Sequence, residues 1–155
     1  MQELLLSGQD FTELFKAILS KKAAVRFKAM GFSMSPFIRD KDVLTIAPSS
    51  DDSVIACGEV TAFIHPLTGK LAVHRVVSVK NGFYVIKGDN TAEADGLIPR
   101  KDILGCVIKV ERKEKTVFFG IGIEKRLIAL LSRKKLLMPL FFPAKIFMRF
   151  LRSIK

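Results

Sequence analysis

Between Val25 and Glu111 the apolar residues come in short runs broken by turn-forming residues, and this rhythm restricts the chain to a sheet of mostly antiparallel neighbours. The runs are Val43–Ala47, Val60–Ile64, Leu71–Val79, Phe83–Lys87 and Ile103–Glu111. Asn81-Gly82 is a two-residue connection in which both residues tolerate left-handed backbone angles, so it predicts a tight hairpin between the third and fourth runs. Leu67-Thr68-Gly69-Lys70 makes a looser turn between the second and third. In Leu71–Val79 both alternating faces are largely apolar, with Leu71, Val73, Val77 and Val79 on one and Ala72 and Val76 on the other. Such a strand is covered on both sides. The expected fold is therefore mainly β, a coiled, barrel-like antiparallel sheet.

Helical patterns flank this body. Asp10 and Glu13 form a capping-box-like start, and Phe11, Leu14, Phe15, Ile18 and Leu19 follow at helical spacing. The pattern divides the chain into a short amphipathic helix over 1–24, a β body over 25–115 and a basic helical tail over 116–155. Within the tail Ile123, Leu127, Leu130 and Leu131 form an apolar stripe, and Pro139 and Pro143 interrupt it. From Ala144 to Ile154, Ile146, Phe147, Phe150, Leu151 and Ile154 share one arc of a helical projection, opposite Lys145, Arg149, Arg152 and Lys155.

The formal net charge of +11 is concentrated here, because residues 121–155 hold nine Lys/Arg against Glu124 alone, leaving the rest nearly balanced. Apolar side chains opposite arginines suit a helix lying in an anionic membrane surface, where acyl burial and headgroup attraction add. Packing on the body or on a second copy is the competing reading. With no Trp and one Tyr the chain offers little for base stacking, so no specific nucleic acid is expected. Met1–Leu6 lacks a basic start and a sustained apolar stretch, and Leu136–Ala144 falls well short of the ~20 residues of a spanning helix. Peripheral membrane attachment is expected, on the cytoplasmic side.

Few residues offer chemistry. Cys57 and Cys106 lie 49 positions apart with no histidine cluster, so they predict small buried apolar residues and neither a metal site nor a disulfide. A serine becomes a nucleophile at neutral pH only beside a base that a third group orients. Taken alone, Gly31-Phe32-Ser33-Met34-Ser35-Pro36 reads as a turn as readily as a nucleophile loop, and Ser35 as a turn-bonding serine. His65, between Ile64 and Pro66 beside a turn, predicts a rim position and a poor base.

That segment resembles the Gly-x-Ser-Met-x-Pro box of the type I signal peptidases and the related SOS-repressor peptidases. Arg39-Asp40-Lys41-Asp42-Val43 is similar to the family's Gly-Asp-x-Val turn, with arginine in place of the more usual glycine. Forty-one residues beyond Ser33, Val73-His74-Arg75-Val76 resembles the box supplying the general base. It carries histidine, as in the archaeal and endoplasmic-reticulum enzymes, where bacterial ones have lysine. Lys87-Gly88-Asp89-Asn90 looks like the family's Lys-Gly-Asp-Asn, and Asp95 matches the third member of the histidine-type triad. The Gly105-containing strand also fits, so the resemblance covers about residues 25–112.

The resemblance implies a serine endopeptidase without a cofactor, cleaving a leader peptide or preprotein after small residues. It makes Ser33 the nucleophile, His74 the base and Asp95 its orienting carboxylate, with Asp89 as a possible support and Gly31 and Met34 beside the substrate and oxyanion. Gly31 replaces a hydroxyl residue found in many lysine-type relatives, which leaves the backbone N–H of Ser33 to serve the oxyanion. Unperturbed histidine titrates near ~6.5, whereas a lysine base, here Lys70 or Lys87, would need strong desolvation. Two rivals are a non-catalytic membrane-surface binding module of the same fold and a self-processing repressor-type peptidase. The latter requires a cleavable bond upstream, and the 32 residues before Ser33 contain no Ala-Gly.

Overall fold

The computed structural model describes residues 8–50, 53–137 and 140. In chain order the elements are α1 (Gly8–Ser20), β1 (Val25–Lys28), β2 (Val43–Pro48), β3 (Val60–Ile64), β4 (Leu71–Lys80), β5 (Phe83–Lys87), β6 (Gly96–Pro99), β7 (Ile103–Arg112), β8 (Lys115–Val117) and α2 (Lys125–Arg133), with a single 3₁₀ turn at Arg100–Asp102. The strands form one antiparallel sheet in the order β1-β2-β7-β3-β4-β5-β6, with β8 on β7. Asn81 at φ 49° and Gly82 at φ 77° close the β4–β5 hairpin with the two left-handed residues such a turn requires.

The sheet does not close into a barrel, contrary to the barrel-like expectation. β1 and β6, each four residues long, end it as edges without pairing to one another. Curvature comes from register shifts at Thr45/Ile46, Ala62/Phe63 and Val76/Ser78, since an extra residue on one strand bends the ladder.

Neighbouring residues of β3 enter two separate cores, which explains its continuous burial. Ala62 joins Phe15, Leu19, Leu44, Ile46 and Val110 beneath α1. Phe63 joins Val76, Tyr84, Ile86, Ile98 and Ile103 on the opposite face. A triangle of Phe11, Phe15 and Phe27 rings at centroid separations of 5.5–5.9 Å fixes α1 on the sheet. A third cluster of Phe37, Ile128 and Leu137 seats α2. The start of α2 lies directly over Gly58, where a Cβ would fall 2.8 Å from the Lys125 backbone, and Lys125 Nζ pairs with Glu59.

Several local expectations need correction. The helix already begins at Gly8, so Asp10 sits inside its first turn and not at its cap. β8 crosses the boundary drawn at 115, because Lys115–Val117 completes the edge of β7. On α2 the buried face is Ile128, Ala129 and Ser132, while Ile123, Leu127 and Leu130 of the apolar stripe are exposed and Leu131 is partly buried. Cys57 and Cys106 are free thiols, but only half-buried. Cys57 Sγ donates to the Val76 carbonyl at 3.7 Å, and burial pushes the Cys106 thiol up to about 11. The segment from Ala144 to Ile154 lies outside the described residues, as do Met1–Leu6. No helix among the described residues is long and apolar enough to cross a membrane.

Candidate active site

Ser33, His74 and Asp95 come from three separate parts of the chain and meet at one side of the sheet. Ser33 lies in the loop between β1 and β2, His74 near the start of β4, and Asp95 just before β6. His74 Nε2 is 2.8 Å from Ser33 Oγ, and His74 Nδ1 is 2.7 Å from Asp95 Oδ2. An ionised carboxylate only accepts, so the neutral imidazole carries its proton on Nδ1 and leaves the Nε2 lone pair for the serine hydroxyl. The side chains of His74 and Asp95 are 12% and 11% exposed, enough for contact with a ligand while screening the pair from bulk water.

The serine loop is held from both ends. Gly31, at φ +93°, turns the backbone as few other residues could, and its N–H donates to Asp40 Oδ1 at 2.9 Å. On the far side Asn90 N–H donates to the Ser33 carbonyl at 2.7 Å and Asn90 Nδ2 donates to the Phe32 carbonyl at 3.0 Å. This contact requires Gly88, because a Cβ there would stand 2.8 Å from the Ser33 carbonyl oxygen. Asp95 is placed by its own N–H, which donates to the Ile86 carbonyl at 2.8 Å.

Asp89 is not part of the histidine pair. Its two carboxylate oxygens accept from Arg75 Nε and a terminal nitrogen at 2.9 and 2.7 Å, with both side chains fully buried. Arg75 also donates to the Gly58 carbonyl at 2.8 Å and lies over the Phe37 ring. Arg75 follows His74 on β4, and Asp89 precedes Asn90. The ion pair therefore links the strand that carries the imidazole to the loop that grips the serine.

Sequence reasoning missed the surroundings of His65 and the role of Arg112. His65, expected at the rim, has its Nε2 3.6 Å from Asp95 Oδ1. Arg112 binds both oxygens of buried Asp42 at 2.8 and 2.7 Å and the Phe37 carbonyl at 3.0 Å, bracing the end of the serine loop. Arg39 is exposed and bonds Asp42 through its backbone alone, its N–H donating to Asp42 Oδ2 at 2.8 Å and its carbonyl accepting from Asp42 N–H at 3.1 Å, so glycine is not demanded there. Lys87 is buried, with Nζ donating to the Gly88 carbonyl and to Ser132 Oγ, and burial lowers its pKa below the usual lysine value. Lys70 is exposed on the β3–β4 turn.

Beside Ser33 and His74 opens a cavity of about 540 Å³, lined by residues that include Gly31, Met34, Phe27, Leu71, Val73 and Phe11 of α1. Its wall at β4 is an open strand edge. Val76 N–H donates to Glu59 and Val76 C=O accepts from Gly58, so the even-numbered residues of this stretch face β3. Leu71 and Val73 then face the other way, and β5 takes up that side only from Arg75. Thr12 Oγ1 accepts from Leu71 N–H at 3.4 Å, leaving the backbone of Val73 aimed at the cavity. β1 across from it is the outer strand of the sheet. An extended segment entering the cavity thus meets a stretch of β4 that β5 does not pair, next to the serine hydroxyl.

Among the described residues no group of three or more histidine, cysteine or acidic side chains is arranged to hold a metal ion. No protein-family model matches this chain, and a search of curated proteins finds no significant match.

Proposed function

We propose that this protein is a serine endopeptidase of signal-peptidase type, cleaving an extended leader peptide or preprotein by a Ser-His-Asp mechanism. The observation that carries this reading is the continuous pair of contacts from Ser33 Oγ through His74 to Asp95, at 2.8 and 2.7 Å. Ser33 Oγ attacks the scissile carbonyl as His74 Nε2 takes its proton. His74 then returns that proton to the leaving amine, and Asp95 stabilises the imidazolium in between. Water repeats the cycle on the acyl-enzyme. The substrate adds as a strand along Val73, and the apolar cavity receives side chains next to the cleaved bond. Preference for small residues at that bond follows from the family resemblance.

The test is cleavage of a peptide library by wild type and Ser33→Ala, read by mass spectrometry. Wild type is expected to cleave, and Ser33→Ala to lose about 10⁴-fold or more. Equal cleavage by the two proteins would refute the reading.

The membrane surface is the proposed place of action, with attachment peripheral and through residues 121–155. Support comes from Ile123, Leu127 and Leu130, which are exposed beside Lys125 and Arg126. Flotation with vesicles containing anionic lipid is expected to carry the wild type. Leu127→Glu with Leu130→Glu should weaken it, and equal flotation with neutral vesicles would speak against the charge contribution.

A further inference from the structure

Asp95 lies between two imidazoles, and only one of them has a role in the mechanism above. The second, His65, follows β3 and is fixed by its own turn. Its backbone N–H donates to the Lys70 carbonyl at 2.9 Å, and its carbonyl accepts from Gly69 N–H at 2.8 Å. The Leu67 N–H donates to His65 Nδ1 at 3.3 Å. A backbone N–H is always a donor, so Nδ1 must present a lone pair and the ring proton of neutral His65 resides on Nε2. That nitrogen is the one facing Asp95 Oδ1, at 3.6 Å. The buried Phe63 ring spans both imidazoles, with its centroid 6.3 Å from that of His65 and 6.0 Å from that of His74. Rotation of either ring is thereby restricted on the same side.

We infer that His65 is a positioning residue for Asp95, forming with it and His74 a histidine–aspartate–histidine clamp in which each carboxylate oxygen is assigned to one ring. The inference rests on the Ser-His-Asp reading. Its physical content is that a carboxylate held through one oxygen can rotate about its Cβ–Cγ bond and lose alignment with His74. A donor facing the second oxygen opposes that rotation. The separation of 3.6 Å is longer than a hydrogen bond, and the inference includes its shortening into one in the substrate complex.

The chain contains two histidines, so its imidazole NMR signals come from these two rings alone. His65→Phe fills the space and removes the donor, whereas His65→Gln restores an N–H at nearly the same reach. In peptide cleavage, His65→Phe is expected to lower kcat roughly 10- to 100-fold, the range of a hydrogen bond to a charged group, with KM unchanged. His65→Gln should stay close to wild type. In an Asp95→Ala background the phenylalanine should cost nothing further, because its effect passes through the carboxylate. At about pH 8, above the ordinary histidine range, the His74 Nδ1 proton resonance should move in His65→Phe and hold in His65→Gln. Should phenylalanine disturb the turn, His65→Asn, whose amide is too short to reach Asp95, takes its place. An unchanged kcat and resonance in the donor-less variant, or a loss that persists without Asp95, would overturn the inference. Absence of any Ser33-dependent cleavage would strike at the hydrolase reading instead, and the resonance comparison would still decide the role of His65.

Discussion

Ser33 is held at its backbone by a neighbour that has no side chain. Gly88 allows the Ser33 carbonyl to approach within bonding distance of Asn90, so Gly88→Ala must push backbone against backbone. The expected result is a destabilisation of about 1–3 kcal/mol together with a disproportionate fall in kcat, measured by urea unfolding and peptide cleavage on the same preparation. Asp89→Asn separates these effects differently, because it leaves the buried Arg75 guanidinium without its charge partner. Removing one member of such a pair costs about 3–5 kcal/mol, so unfolding should shift far more than for a surface change. An Asp89→Asn protein as stable as wild type would show that the pair does not brace the fold. At this scale Ser33, His74, Asp89 and Asp95 could be found in the sequence, since each sits in a short motif or at a fixed offset from one. The His65 contact could not, because it depends on a hairpin bringing residue 65 back beside residue 95. The pairing of Arg112 with Asp42 was equally hidden, as it joins positions 70 residues apart across two strands.

At the scale of elements, α1 shows why a helix can be read correctly and its consequence still be missed. Its apolar positions announce an amphipathic helix, and Phe15 and Leu19 are buried as that pattern requires. The same helix brings Phe11 to the cavity wall and Thr12 to the open edge of β4. Phe11→Ala should therefore widen the range of side chains accepted next to the scissile bond with little change in kcat for a small-residue peptide, as measured on a library of single-position variants. An unchanged profile would mean that α1 only covers the sheet. The strands follow a similar division. β3 and β5 match the expected runs residue for residue, and the Asn81-Gly82 hairpin closes where its backbone preferences place it. β1, β6 and β8 have three or four residues each and carry too little periodicity to be recognised. They exist because a longer neighbour supplies their hydrogen bonds. The barrel-like expectation failed for a related reason: burial on both sides of β4 is confined to its middle, at Val76 and Val77, where elements cover both faces of an open sheet, and periodicity alone does not distinguish that from closure.

For the molecule as a whole, the buried amine of Lys87 ties stability to pH in a way whose sign the structure determines. Its Nζ bonds the Gly88 carbonyl next to the serine loop and Ser132 on α2, so it joins the two ends of the domain through one charge. Burial is the leading cause of its lowered pKa, with Lys135 adding to it and Asp89, Glu93 and Asp95 opposing it. Between the depressed folded value and the ordinary 10.5 the unfolded chain holds more protons on this group than the folded one. Stability contributed by Lys87 therefore rises with pH across that window, and below it the cost of burying the charge is constant. Comparison with Lys87→Met isolates the effect, because methionine fills similar space without titrating and the other groups largely cancel. In urea unfolding followed from neutral pH upward, the difference between wild type and Lys87→Met should stay flat at first. It should then move in favour of the wild type as pH approaches 10.5. A difference that remains constant throughout, or moves toward the methionine variant, would mean that the amine is hydrated in solution and that the bridge between α2 and the serine loop is open.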